Sequence, residues 1–165
     1  MIKEIQEENF TPFFELMAEI ECGKHFDFSN QNHNEWLKKK ISSYYYRGAK
    51  FFGFYFDNGE PIGFAALLME EGPEGVICFG HKCDLLDIGI LKKYRRKGFG
   101  SELLEYVEQR AKNEGFYCMY MSTYAMDYEA ISFYGKNGFV PVATLPDING
   151  PNDEGNIYIR KILKE

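Results

Sequence analysis

The chain has 165 residues, 45% of them hydrophobic and 27% charged, enough apolar content for one buried core and too much for intrinsic disorder. Nineteen Lys and Arg against twenty-five Asp and Glu leave a net charge of -6, which disfavours a general binder of nucleic acid or anionic membrane and makes any anion site local. Twelve Tyr and fifteen Phe suggest a packed aromatic core and an aromatic-lined cleft.

The N-terminal MIKEIQEENF alternates charged with apolar residues where a secretion signal is hydrophobic, and no apolar run is long enough to span a bilayer; the expected address is cytoplasmic, with no membrane partner. Ile2 to Ile5 reads as a short strand. Thr11-Pro12 offers an N-cap and a first-turn proline for a helix over Pro12 to Ile20. Cys22 to Asn34 reads as a polar, irregular loop before a second helix over Glu35 to Tyr46, a suitable rim for a substrate pocket. Lys50 to Phe56 and Ile62 to Met69 flank Asp57-Asn58-Gly59-Glu60, the signature of a β-hairpin. Glu70 to Gly75 is a turn, and Val76 to Ile90 holds one or two strands, the last over Leu85 to Leu91.

From Phe99 the apolar residues Leu103, Leu104, Val107 and Ala111 follow helical spacing, with Glu108 four residues before Lys112, and Gly115 stops the helix. Phe116 to Thr123 is a strand, Asp127 caps a helix over Tyr128 to Asn137, and Gly138 ends it. Phe139 to Thr144 and Ile157 to Ile162 are the last two strands, joined by a turn-rich stretch. Nothing divides the chain, so residues 1–165 read as one domain. Its class is α/β or α+β around a mixed sheet. Cys22, Cys78, Cys83 and Cys118 are scattered, without a CxxC pair or a histidine at ligand spacing, which argues against disulfides and against a metal site.

The most informative window is Ile88-Gly89-Ile90-Leu91-Lys92-Lys93-Tyr94-Arg95-Arg96-Lys97-Gly98-Phe99-Gly100-Ser101. Five cationic side chains lie between a strand end and a helix start. Gly98 and Gly100 open the backbone there, and the first N–H groups of a helix lack partners and carry partial positive charge. Together these form a pyrophosphate cradle. It is neither a Walker A loop nor a Rossmann fingerprint, so a different phosphate-bearing cofactor is implied. A solvated charged turn, or a contact to nucleic acid, would not need two glycines at a helix start, and the net charge also opposes the latter.

Arg95-Arg96-Lys97-Gly98-Phe99-Gly100 resembles the signature of the GNAT superfamily of acyl-CoA-dependent N-acetyltransferases, and Ala130-Ile131-Ser132-Phe133-Tyr134-Gly135-Lys136-Asn137-Gly138-Phe139 resembles its second motif. The resemblance covers about residues 76 to 145. It implies a mixed, mostly antiparallel sheet, flanked by helices on both faces, whose fourth and fifth strands, Leu85 to Leu91 and Phe116 to Thr123, splay apart to admit acetyl-CoA. It implies pantetheine contacts near Ile88 and Ile90, a pyrophosphate on Arg95, Arg96, Lys97, Gly98, Phe99, Gly100 and Ser101, and a cofactor contact near Phe133. Many members have Asn where this chain has Asp127, so Asp127 is a candidate cofactor contact that departs from the pattern.

Transfer to an amine requires the uncharged nucleophile, and deprotonating a lysine-like amine at pH 7 costs roughly 4.6 kcal/mol. The resemblance makes Tyr134 the acid that protonates the CoA thiolate. For the base, Asp84 and Asp87 are both unusual in a strand and lie on opposite faces by alternation; Asp84 matches a catalytic position of some members. His25, Phe26, Phe28, His33 and Trp36 fall where members line the acceptor pocket. Tyr44, Tyr45 and Tyr46 read as packing at a helix end, although an ammonium would favour such rings. The implied activity is acetylation of a primary amine on a small molecule or peptide, the alternative being an acyl-CoA sensor with weak turnover. A homodimer through an exposed last strand is compatible with the pattern.

Overall fold

Alternation and turn chemistry set the elements of the computed structural model, which describes residues 1–22, 26–69 and 82–163. They are β1 (Ile2–Ile5), α1 (Phe14–Cys22), α2 (Gln31–Tyr46), β2 (Lys50–Tyr55), β3 (Pro61–Met69), β4 (Lys82–Ile90), α3 (Phe99–Asn113), β5 (Cys118–Tyr124), α4 (Tyr128–Lys136), β6 (Val140–Leu145) and β7 (Asn156–Ile162). Hydrogen-bonded neighbours follow the order β1-β2-β3-β4-β5-β7-β6. The β4–β5 pair is parallel, whereas β1–β2, β2–β3, β5–β7 and β6–β7 are antiparallel. The expected mixed, mostly antiparallel sheet is therefore present. The expected turn at Glu70 to Gly75, the start of the strand from Val76, and His25 lie outside the described residues.

Two compact units share β4 and α3: Met1–Leu68 with Asp87–Val107, and Met69–Leu86 with Glu108–Glu165. In the first, Gly59 (φ 84) closes the β2–β3 hairpin, with Glu60 N–H donating to Asn58 Oδ1 at 3.0 Å. Its core is aromatic. Phe51 stacks on Tyr45 with ring centroids 4.4 Å apart, and Phe10 meets Phe51 and Phe64 edge-on, each at 5.1 Å. Side chains of this size each remove a large apolar area from water. Gly63 gives its side-chain space to the next strand, because a Cβ there would lie 2.2 Å from Gly89 O.

The second unit carries β5, α4 and the β6–β7 hairpin. The β4–β5 ladder has three pairs, Lys82↔Cys118, Cys83↔Met119 and Asp84↔Tyr120, although both strands run on. Glu108, 6% exposed, accepts two hydrogen bonds from Lys161 Nζ at 2.8 and 2.7 Å. Its partner is thus on β7 and not the Lys112 that helical spacing suggested, because a buried carboxylate needs a cation that reaches inward. Gly138 (φ 87) and Gly115 (φ 97) end α4 and α3 as expected.

Four elements have a boundary two or more residues from expectation, β4 among them, since it opens at Lys82 and not at Leu85. The first helix opens with a separate 3-10 turn, Thr11–Phe13, so α1 starts at Phe14 and runs on to Cys22. α2 begins four residues earlier than Glu35, because the Asn30 side chain accepts from Asn32 N–H at 2.9 Å and His33 N–H at 3.4 Å. β5 starts at Cys118, two residues later than expected. Among the described residues, no helix is long and apolar enough to cross a membrane.

Gly63→Ala should destabilise the fold by about 1–3 kcal/mol, because the clash is with backbone that cannot swing away. Gly135→Ala, with nothing within 4 Å of its Cβ position inside α4, should be neutral or stabilising. Urea unfolding midpoints at unchanged slope check both.

Candidate active site

The first unit contains the basic turn. β4 ends at Ile90, Leu91 N–H donates to Ile62 O at 2.9 Å, and a single 3-10 turn over Lys92–Tyr94 follows. Arg96 (φ 62) and Gly98 (φ 89) then take left-handed backbone dihedrals that aim the chain into α3. A Cβ on Gly98 would meet no atom within 4 Å, so the backbone lies open there. The cations around it are anchored. Lys93 Nζ donates to Glu60 Oε1 at 2.6 Å, the Tyr94 hydroxyl donates to the same carboxylate, and Lys97 Nζ lies 5.7 Å from the Tyr94 ring centre. These bonds hold the Glu60 carboxyl below its usual pKa, Lys93 contributing most.

Arg95 is engaged twice. Its Nε donates to Ile90 O at 2.8 Å and its Nη2 to Glu19 on α1 at 2.9 Å. Phe99 turns inward against Phe54 and Phe56, with centroids 5.6 and 5.7 Å apart, so this position offers a ligand only its backbone. Lys92, Arg96, Lys97 and Ser101 are exposed, Gly100 and Ile88 half-buried, and Ile90 buried. Exposed cations, an open glycine backbone and the unpaired N–H groups of a 15-residue helix fit a polyanionic phosphate group.

The same unit buries a carboxyl. Asp87 follows Cys83 and Leu85 on the buried face of β4 and is 7% exposed. Its Oδ2 has no hydrogen-bond partner among the described residues. Burial raises its pKa well above the usual carboxylate value; the Glu21 charge and a hydrogen bond that the protonated carboxyl shares with Glu21 add to the rise, while Lys40 and a hydrogen bond with Tyr44 oppose it. The Tyr44 phenol is pushed up in turn, first by burial and then by the Asp87 charge. Lys40 bonds to Glu21 at the end of α1, and its Nζ lies 5.5 Å from the Trp36 ring centre and 5.6 Å from that of Tyr44. On the segment before α2, Phe26 packs on Phe28 at 4.7 Å and on His33 at 5.5 Å, and His33 Nδ1 accepts from Asp27 N–H at 3.0 Å. The structure thus gathers Phe26, Phe28 and His33 into one aromatic group and turns Trp36 toward Lys40.

The second unit holds the remaining candidates. Asp84 pairs with Lys82 at 3.1 Å and is partly exposed. Asp127 Oδ1 accepts from Ala130 N–H at 2.9 Å, so its carboxylate serves as the N-cap of α4. Tyr134 is buried, with Phe133 at 5.1 Å and Phe139 at 5.8 Å between ring centres.

Sequence reasoning did not find Glu21 and Lys40. The helical spacing of His33, Trp36, Lys40 and Tyr44, at intervals of three or four, was the available signal for Lys40, since it puts all four on one face of α2.

A model of the Acetyltransferase (GNAT) family matches residues 5–139. The tRNA(Met) cytidine acetyltransferase TmcA of Aeropyrum pernix is 33% identical over 76 residues, 46% of this chain and 10% of that protein. The chain therefore spans about a tenth of the length of the curated relatives it matches. Among solved structures, the PaiA N-acetyltransferase of Thermoplasma acidophilum in complex with coenzyme A superposes with a TM-score of 0.72 at 21% identity, covering 98% of both chains. The ribosomal-protein-S18-alanine N-acetyltransferase of Escherichia coli superposes with a TM-score of 0.73 at 17% identity, covering 100% of this chain and 94% of that one. These likenesses concern the fold.

Because the Asp87 pKa is raised by folding, the native state holds a proton that the unfolded chain releases near pH 4, and stability falls as pH climbs from there through the native pKa. Asp87→Asn, whose amide can donate to Glu21, removes that loss. At pH 7 it should be more stable than the parent by about 1–2 kcal/mol, roughly 2–8 °C in Tm, and the gain should vanish toward pH 4. Thermal melts across pH 4 to 8 check this.

Proposed function

Since the chain belongs to the acetyltransferase (GNAT) family, we propose that this acyltransferase moves an acetyl group from acetyl-CoA to a primary amine of a small molecule or peptide. The observation that carries this reading is the open turn at Gly98, ringed by anchored and exposed cations at the start of α3. Its glycine backbone and helix N–H groups suit a pyrophosphate, and Ile88 and Ile90 supply the strand edge leading up to it. Acetyl-CoA supplies a thioester carbonyl that an uncharged amine can attack.

The residues then divide the proton work. The amine must lose a proton before it reacts, and Asp87 is the proposed acceptor: burial gives its carboxyl a strengthened hold on a proton, and one oxygen has no partner among the described residues. Asp84 is the weaker candidate, since Lys82 already pairs with it. Tyr134 is the proposed acid, donating its phenolic proton to the departing sulfur; the warrant is its place in the second motif, Phe133-Tyr134-Gly135. Asp127 is proposed to act through the α4 cap and not by touching the cofactor. Phe26, Phe28 and His33 are proposed to border the acceptor.

Thiol release from acetyl-CoA, measured against a panel of amines, tests the whole reading. Tight CoA binding without amine-dependent release would make the protein a sensor instead. Tyr134→Phe should lower kcat at least tenfold with CoA affinity within about twofold; an unchanged kcat across pH removes Tyr134 from the acid role. Gly98→Val should weaken CoA binding at least tenfold, because it fills the open backbone and strains a residue at φ 89. Isothermal titration, with a melt to verify folding, checks this.

A further inference from the structure

Around Asp87, two carboxyl groups face one cation. Glu21 takes the Lys40 ammonium, and Asp87 keeps one oxygen without a hydrogen-bond partner among the described residues while only 7% exposed. Once Asp87 is ionised, a buried acceptor left open costs about 1–3 kcal/mol, a penalty that a donor entering the site would relieve. The remaining walls are π faces. Trp36 and Tyr44 both lie within reach of an ammonium, which Lys40 demonstrates at 5.5 and 5.6 Å. Trp36 is 45% exposed and the Lys40 side chain 25%, so the cluster is open to solvent on the side where Lys40 enters. Lysine reaches it on a flexible four-carbon stem and can leave by rotating about those bonds.

We infer that Asp87, Glu21 and the ring faces of Trp36 and Tyr44 bind one primary alkylammonium, and that the Lys40 ammonium occupies its place in this structure as a displaceable internal competitor. The inference rests on the proposed amine acetylation for its purpose, since it makes this cluster the acceptor's docking point, but not for its evidence. A primary ammonium matches the set because its three N–H donors can serve Asp87 Oδ2 and the Glu21 carboxylate while its positive charge lies against the rings. A neutral alcohol of the same length would leave the carboxylate charge uncompensated. The titratable groups facing Asp87 are Glu21 from α1, and Lys40 and Tyr44 from α2.

Trp36 is the only tryptophan in the chain, so its fluorescence reports on this site without any cofactor. Titration of the 165-residue chain with n-butylammonium, in the absence of acetyl-CoA, should give a saturable change that n-butanol does not give. Lys40→Met keeps most of the stem's bulk and removes the competitor, so it should tighten the apparent Kd about tenfold. Asp87→Asn and Glu21→Gln should each weaken it at least tenfold, the second serving if the first fails to fold. An equal response to butanol, or an unchanged Kd in Lys40→Met, overturns the inference. Amine-dependent thiol release without butylammonium binding here would leave the acetyltransferase reading intact and sink this one. Binding here without thiol release would do the reverse.

Discussion

A strand inside a sheet ordinarily gives both edges to its neighbours, and β4 does so on the β5 side for only three residues. After Asp84↔Tyr120 the parallel ladder stops, although β4 continues to Ile90. Backbone polar groups away from water must find partners, so a strand that outruns its ladder imposes a demand on whatever lies beside it. At the far end, Ile90 O meets the demand by accepting from Arg95, which also binds Glu19. One guanidinium thereby joins the end of β4 to α1 and fixes the start of the basic turn. Lys93 and Tyr94 converge on Glu60 from the hairpin, which fixes its middle. A concentrated positive segment in a chain of net charge -6 is stable here because acidic residues from other elements neutralise it from behind, leaving Arg96, Lys97 and the Gly98 backbone outward.

What was legible in the sequence was local. Asn58-Gly59, Gly115 and Gly138 each mark positions where the backbone turns through positive φ, and the structure has φ 84, 97 and 87 at the three glycines. Asp127 is recognisable as a cap because its side chain serves a residue only three positions on. The basic glycine turn between strand and helix is likewise contained in one window. The start of α2 was missed because Asn30 is one of several capping-competent residues in Ser29-Asn30-Gln31-Asn32-His33-Asn34, and only the backbone decides which one caps.

What sequence reasoning passed over is which residues become partners across long separations. Glu21, Lys40 and Asp87 come from α1, α2 and β4, and Glu108 and Lys161 from α3 and β7. Nothing in a local window says that Lys40, one of the three consecutive lysines 38–40, turns inward while the run as a whole reads as a solvated face. Periodicity on α2 narrows the choice, but the identity of the group it meets is a property of the fold.

Two buried carboxyl groups among the described residues, Asp87 and Glu108, show how differently one chain treats the same chemistry. Glu108 is satisfied: one lysine gives it two bonds, each oxygen has a donor, and the pair reads as a fixed strut between α3 and β7. Asp87 must share Lys40 with Glu21, Lys40 favours Glu21, and an oxygen is left over. Stability alone would be served by an apolar residue at position 87, since a half-satisfied buried polar network is worse than none. A carboxyl kept at that cost, beside an ammonium it does not fully own and two aromatic faces, is matched to a charge that arrives from outside.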